Sequence, residues 1–195
     1  MQKRIFIIHG WGGYPEEGCF PWLKKELEKK GFIVKSPAMP NPLNPEIDVW
    51  TSIIKEKVVT PDEQTYFVGH SIGAQTILRY FQSLEKGIKV GGAVFLAGWV
   101  NLTPAAYEDE RDREIVKPWL ETPINWNKIK THTDKFIAIF SDNDRFVPRE
   151  DSQIFKEKLG AKIIIEHNKG HFSGTDGIKE LQSILDSILK IAGVS

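Results

Sequence analysis

The sequence predicts a doubly wound, three-layer α/β sandwich, and three observations carry that prediction. Short apolar runs alternate with helical patterns along the whole 195-residue chain. The runs are continuously apolar rather than alternating, as expected of parallel strands covered on both faces. Glycines and prolines stand where helices would end and begin. Right-handed crossovers leave few topologies. The expected one has six parallel strands in the order 2-1-3-4-5-6, helices on both faces and a switch point between the first and third strands.

Each element has a local reason. Ile5 to Ile8 makes a first strand at 4–8, and its apolar run is too short for a signal peptide. A helix at 22–30 carries the mixed run Lys24-Lys25-Glu26-Leu27-Glu28-Lys29-Lys30, read as a solvated face, and Gly31 stands at its C′ position. A second strand is expected at 32–35. Asn44-Pro45 has the form of an N-cap followed by proline at N1, opening a helix at 46–58. Tyr66-Phe67-Val68 marks a strand at 65–69. The helix at 72–85 places Ala74, Ile77, Leu78, Phe81 and Leu84 on one face and ends towards Gly87. Strands follow at 93–98, 135–140 and 162–166. A helix at 149–159 ends at Gly160, and a last helix at 177–192 carries the stripe Ile178, Leu181, Ile184, Leu185, Ile188 and Leu189.

The stretch 99–134 is long for a connection and is expected to border the functional site. Thr103-Pro104 resembles another N-cap pair, opening a helix through Tyr107 to Val116 with an Asp109–Arg113 pair at i,i+4. Trp99, Trp119 and Trp126 read either as core staples or as the wall of a pocket. The stretch is too short for a large lid, so a shallow, partly open cleft is expected. The chain 1–195 reads as one domain.

Composition narrows the function. With 26 basic and 26 acidic residues the net charge is zero, so no global field steers the chain to nucleic acid or an anionic membrane. No stretch approaches the roughly 20 apolar residues of a membrane span. Cys19 is the only cysteine, which excludes an intrachain disulfide and fits a reducing, cytoplasmic setting. One cysteine and scattered histidines give no metal-ligand spacing, and the loop after the first strand lacks Gly-x-Gly-x-x-Gly. No metal or cofactor is expected.

Gly69-His70-Ser71-Ile72-Gly73 lies between the third strand and its helix. Strand, Gly-x-Ser-x-Gly, helix is the context of a nucleophile elbow, in which a strained turn lifts a serine out of the sheet. A serine hydroxyl needs a base, usually a histidine oriented by a carboxylate. The chain offers an acid in Ser141-Asp142-Asn143-Asp144 and a histidine in Gly170-His171-Phe172, each after a strand-like run. His9 and His70 belong to glycine turns and read as structural, and His167 falls too early for a loop tip.

His9-Gly10, Phe20-Pro21-Trp22-Leu23, Met39-Pro40-Asn41-Pro42, the elbow, Asp144 to Pro148 and Gly170-His171-Phe172 occur in the order found in small α/β-hydrolases. Over nearly its whole length the chain resembles the YdeN-like serine hydrolases, whose relatives include retinoblastoma-binding protein nine. The resemblance implies a compact, lidless hydrolase with a Ser71, Asp144 and His171 triad. Asp144, followed by Val147 and Pro148, fits the acid pattern of the fold better than Asp142, which is left to cap its turn. The backbone N–H groups of Ile72 and Trp11, with Gly12 next, are the expected oxyanion donors. Trp99, Phe146 and Phe172 are expected to contact substrate. The expected activity is hydrolysis of a small ester, thioester or amide through an acyl-enzyme, with a small-molecule acyl substrate as the only partner. The alternative is a binding or scaffold protein that keeps the fold with little turnover. Retinoblastoma binding does not carry over: that contact uses Leu-x-Cys-x-Glu, a setting Cys19 lacks.

Overall fold

The apolar runs pair side by side because covering both faces of a parallel sheet removes them from water. In the computed structural model, which describes residues 2–194, β1 (Arg4–Ile8), β2 (Ile33–Lys35), β3 (Thr65–His70), β4 (Gly92–Leu96), β5 (Phe136–Ser141) and β6 (Lys162–Glu166) form one sheet. Its order is β2-β1-β3-β4-β5-β6 with every pair parallel, as expected. Residues 1 and 195 of the expected domain lie outside the described residues. The inner strands β3, β4 and β5 are buried throughout, whereas the edge strands β2 and β6 are partly open to solvent.

Two cores result, one on each face. α1 (Phe20–Lys29) and α7 (Gln182–Ala192) pack Leu23, Leu27, Ile184 and Ile188 against Ile5, Ile7, Val68 and Val94. On the other face α2 (Ile47–Val58), α3 (Ile72–Ser83) and α6 (Glu150–Leu159) pack Trp50, Ile77, Phe81 and Phe155 against Phe6, Phe67 and Phe95. α4 (Glu110–Glu121) and α5 (Trp126–Lys130), both from the 99–134 stretch, extend this second core through Trp119 and Ile129. No helix among the described residues is long and apolar enough to cross a membrane.

Several boundaries differ from expectation. α2 starts at Ile47 with Glu46 as N-cap, because the Pro45 carbonyl is turned away to accept from Trp119 Nε1 at 3.0 Å. α3 stops at Ser83, since buried Leu84 leaves in an extended conformation, and Gly87, with φ 94°, serves a later turn. β4 ends at Leu96, where Ala97 turns to φ 45°. Ile178 and Leu181 are not helical. Gly177 closes a 3-10 turn, Leu181 is extended, and both apolar side chains reach the core from irregular backbone. The helix expected from Thr103-Pro104 is a single 3-10 turn over Pro104–Ala106. α4 begins later, because the Asp109 carboxylate caps it by accepting from the Asp112 N–H at 3.1 Å, and it runs through Pro118 to Glu121. Asp109 therefore does not pair with Arg113, whose partner is Glu110 at 3.7 Å. The largest departure is α3, buried on every side from Ile72 to Phe81 rather than along one face.

Candidate active site

The turn between β3 and α3 is shaped by two glycines that have no room for a side chain. A Cβ on Gly73 would stand 2.6 Å from the His9 carbonyl oxygen and closer still to that of Ile8, and one on Gly69 would stand 2.7 Å from the Ala74 nitrogen. With backbone this close on both sides, Ser71 takes φ 53°, ψ −119°, a costly conformation for a residue with a side chain. Its own N–H is tied to the Leu96 carbonyl at 2.9 Å. Ile72 is the first residue of α3, so its N–H has no partner inside the helix and lies at the positive end of the helix dipole.

The loop after β1 is held by a rail of carbonyls. In Met39 to Pro45 prolines remove N–H groups, and the carbonyls serve as acceptors. Pro40, Leu43 and Pro45 receive the indole N–H of Trp50 at 2.8 Å, Trp11 at 3.1 Å and Trp119 at 3.0 Å. Pro42 receives the Gly12 N–H at 2.8 Å. Gly12 is thereby committed, whereas the Trp11 N–H has no hydrogen-bond partner among the described residues. Buried His9 fixes the same rail, its Nε2 accepting from the Met39 N–H at 3.0 Å while Nδ1 donates to the Gly10 carbonyl.

The loops after β5 and β6 are laced by side chains. Ser141 Oγ accepts from the Lys169 N–H, and Asn143 Oδ1 accepts from the Gly170 N–H at 2.8 Å. Asp142 accepts from His167 Nδ1 at 2.6 Å and from the Asn168 N–H at 2.9 Å, contacts that hold its carboxyl below the usual range. The Asp144 side chain is 4% exposed. Its Oδ1 accepts from the N–H groups of Phe146 and Val147, and its Oδ2 from His171 Nδ1 at 2.8 Å. That bond fixes the tautomer and leaves His171 Nε2 as an acceptor. The His171 backbone is gripped on both sides, its N–H by Asp176 at 3.0 Å and its carbonyl by His70 Nε2 at 2.7 Å. Burial, with nearby His171, pushes the His70 imidazole down to about 3, so it stays a neutral donor at ordinary pH.

Ser71, Ile72, Trp11, Trp99, Phe146 and His171 line one cleft of about 690 Å³, and Asp144 stands behind His171. The Phe146 ring meets the imidazole edge-on at 5.1 Å. Phe172 is a correction: it is 2% exposed and packs with the α1 and α7 side chains rather than lining the cleft. Its backbone takes φ 59°. Trp119 is a core staple, and Trp126 packs edge-on against Phe155.

Sequence reasoning missed the buried polar groups that fasten the far wall. Gln75 Nε2 donates to the Trp99 carbonyl at 2.9 Å. Asp151, fully buried, accepts from the N–H groups of Val100 and Asn101 and from Asn101 Nδ2. Arg79 donates to the carbonyls of Trp119 and Pro123, with no carboxylate partner among the described residues. Within α3, Gln75 and Arg79 sit off the apolar stripe, where the sequence carries no signal of burial. Only the stretch packed over them changes that.

A family model described as serine hydrolase matches residues 5–190. The chain is 28% identical to YdeN of Bacillus subtilis over 186 residues, covering 95% of this chain and 94% of that one. It is 28% identical to the serine hydrolase RBBP9 of Rattus norvegicus over 182 residues, covering 93% and 91%. The crystal structure of the B. subtilis ydeN product superposes with a TM-score of 0.89 at 26% identity, over 98% of this chain and 100% of that one. The chain therefore belongs to the serine hydrolase family and is an enzyme.

Proposed function

We propose that this single-domain enzyme hydrolyses small carboxylic esters, thioesters or amides through an acyl-enzyme on Ser71. The observation that carries the reading is the 2.8 Å bond from His171 Nδ1, in the cleft that opens at Ser71, to the buried and otherwise satisfied carboxylate of Asp144 behind it. Ser71 Oγ attacks the acyl carbon as its proton passes to His171 Nε2. Asp144 keeps the tautomer and stabilises the imidazolium. The N–H groups of Ile72 and Trp11 receive the oxyanion, each worth about 3 kcal/mol when aligned on it. His171 then protonates the leaving group. Water, losing its proton to the same nitrogen, releases the acid and restores Ser71. The only side-chain hydrogen bond at Ser71 Oγ among the described residues comes from Trp99, so proton transfer requires the hydroxyl and His171 Nε2 to come within hydrogen-bond reach of each other.

Apolar side chains in the cleft, among them Leu43, Leu102 and Ile115, suit a short acyl or aryl group. A series of p-nitrophenyl esters of increasing chain length tests the reading. Short chains should be hydrolysed best, and Ser71→Ala should lower turnover about 10⁴-fold or more. Turnover that survives Ser71→Ala would overturn the assignment. Folded protein inert to every ester would favour the scaffold alternative.

A further inference from the structure

Trp99 belongs to none of the expected catalytic roles, yet its indole N–H reaches the nucleophile: Nε1 donates to Ser71 Oγ at 3.3 Å, with both residues buried. We propose that Trp99 is a catalytic residue that hydrogen-bonds the reacting oxygen itself, separate from the donors to the carbonyl oxygen. This inference rests on the acyl-enzyme reading above.

An indole N–H can only donate, so it occupies a lone pair on Oγ and the hydroxyl proton must point elsewhere. Of the side chains lining the cleft beside it, His171 offers a bare acceptor nitrogen. The Trp99 contact thus leaves the Ser71 O–H free to turn towards His171 Nε2, the turn that transfer requires. As the O–H bond breaks towards His171 Nε2 and the Oγ–carbon bond forms, negative charge passes through Oγ, and a hydrogen bond to a charged oxygen is stronger than one to a neutral one. In deacylation Oγ is the leaving oxygen, so the same N–H stabilises the reverse charge build-up.

The indole is also held as a catalytic group must be. Gln75, from the nucleophile's own helix, grips the Trp99 carbonyl, and Asp151, from α6, grips the next two N–H groups. Two buried side chains, one from α3 and one from α6, therefore fix one donor, whereas a pocket wall alone needs only apolar packing. Gln75 and Asp151 act through Trp99 and are positioning residues.

The test compares wild type, Ser71→Ala and Trp99→Phe, which keeps an aromatic ring and removes the N–H. Two readouts are used: the rate of labelling by a small fluorophosphonate, and kcat and KM on a short p-nitrophenyl ester. Trp99→Phe should label about ten-fold more slowly and lose kcat by a similar factor, with KM within about two-fold. Labelling and kcat within two-fold of wild type would overturn the proposal. A wall residue that merely binds the acyl group would raise KM instead, which also overturns it. Should Trp99→Phe not fold, the indole N–H signals of wild type and Ser71→Ala in a ¹⁵N-labelled sample decide. One indole signal must move when its acceptor oxygen is removed, and a spectrum with none moved overturns the contact. Failure of the underlying reading looks different: wild type itself would not label, or would label equally well without Ser71.

Discussion

The two walls of the cleft are held by different forces. The Ser71 wall, from Gly69 to Gly73, is held by backbone against backbone, with no space at Gly73 for even one carbon. The opposite wall, residues 99–134, is held by buried polar side chains that reach out to its carbonyls and amides: Gln75 and Arg79 from α3, and Asp151 from α6. The first wall is rigid through local sterics. The second is a surface segment tethered from below, and α3 supplies both the elbow and two of the tethers. The difference teaches that one helix, buried from Ile72 to Phe81, both carries the Ser71 turn at its start and ties down the segment across the cleft.

The comparison breaks most visibly at Gly73. Gly73→Ala forces a methyl group into the Ile8 and His9 carbonyls, where neither backbone can yield without disturbing β1. A loss of about 3 kcal/mol or more is expected, with cooperative failure of the whole fold in denaturant unfolding. A variant of near wild-type stability would show that the elbow has slack.

Arg79→Met should act on one wall only. It leaves the Trp119 and Pro123 carbonyls without their buried donor, at a cost of about 2 kcal/mol, part of it offset because a buried cation is removed as well. Limited proteolysis should then cut first within 99–134 while the sheet stays protected. Cleavage spread evenly along the chain would contradict the tether.

The smallest effect is expected at the joint between the walls and the histidine loop. His70, held neutral by burial with its imidazole down to about 3 against an ordinary 6.5, takes up a proton far more readily when the chain is unfolded. Its contribution to stability is therefore full above about pH 6.5 and is lost as pH falls towards 3, about 1 kcal/mol of it between pH 6.5 and 5.5. In thermal melts across that range His70→Gln, which keeps an amide donor for the His171 carbonyl, should lose less stability than wild type. Equal slopes would place His70 outside this linkage.

How far these walls were legible in the sequence follows from the forces that hold them. Sterics of the elbow are local, so Gly-x-Ser-x-Gly between an apolar run and a helix announces them, as do Asp144 and His171 in their loops. The sheet order also follows from local runs and handed crossovers. Arg79, Gln75 and Asp151 were not legible, because a polar residue off a helix's apolar stripe looks solvated until a distant segment covers it. Phe172 was misread for a related reason: adjacency to His171 suggested the cleft, but the ring is claimed by the distant α1 and α7 side chains. In the stretch 39–45, Met39 to Pro42 was noticed only as a resemblance, and Asn44-Pro45 only as a helix start. The physical content of the stretch, carbonyls receiving three indole N–H groups, depends on tryptophans from three separate parts of the chain.

The most direct test of the central claim is intact-mass and peptide mapping of the protein after exposure to a small fluorophosphonate. The account predicts one adduct per chain, on Ser71, lost in Ser71→Ala and strongly slowed in His171→Asn and Asp144→Asn. An adduct on another residue, or one on Ser71 that forms equally fast without His171, would contradict it.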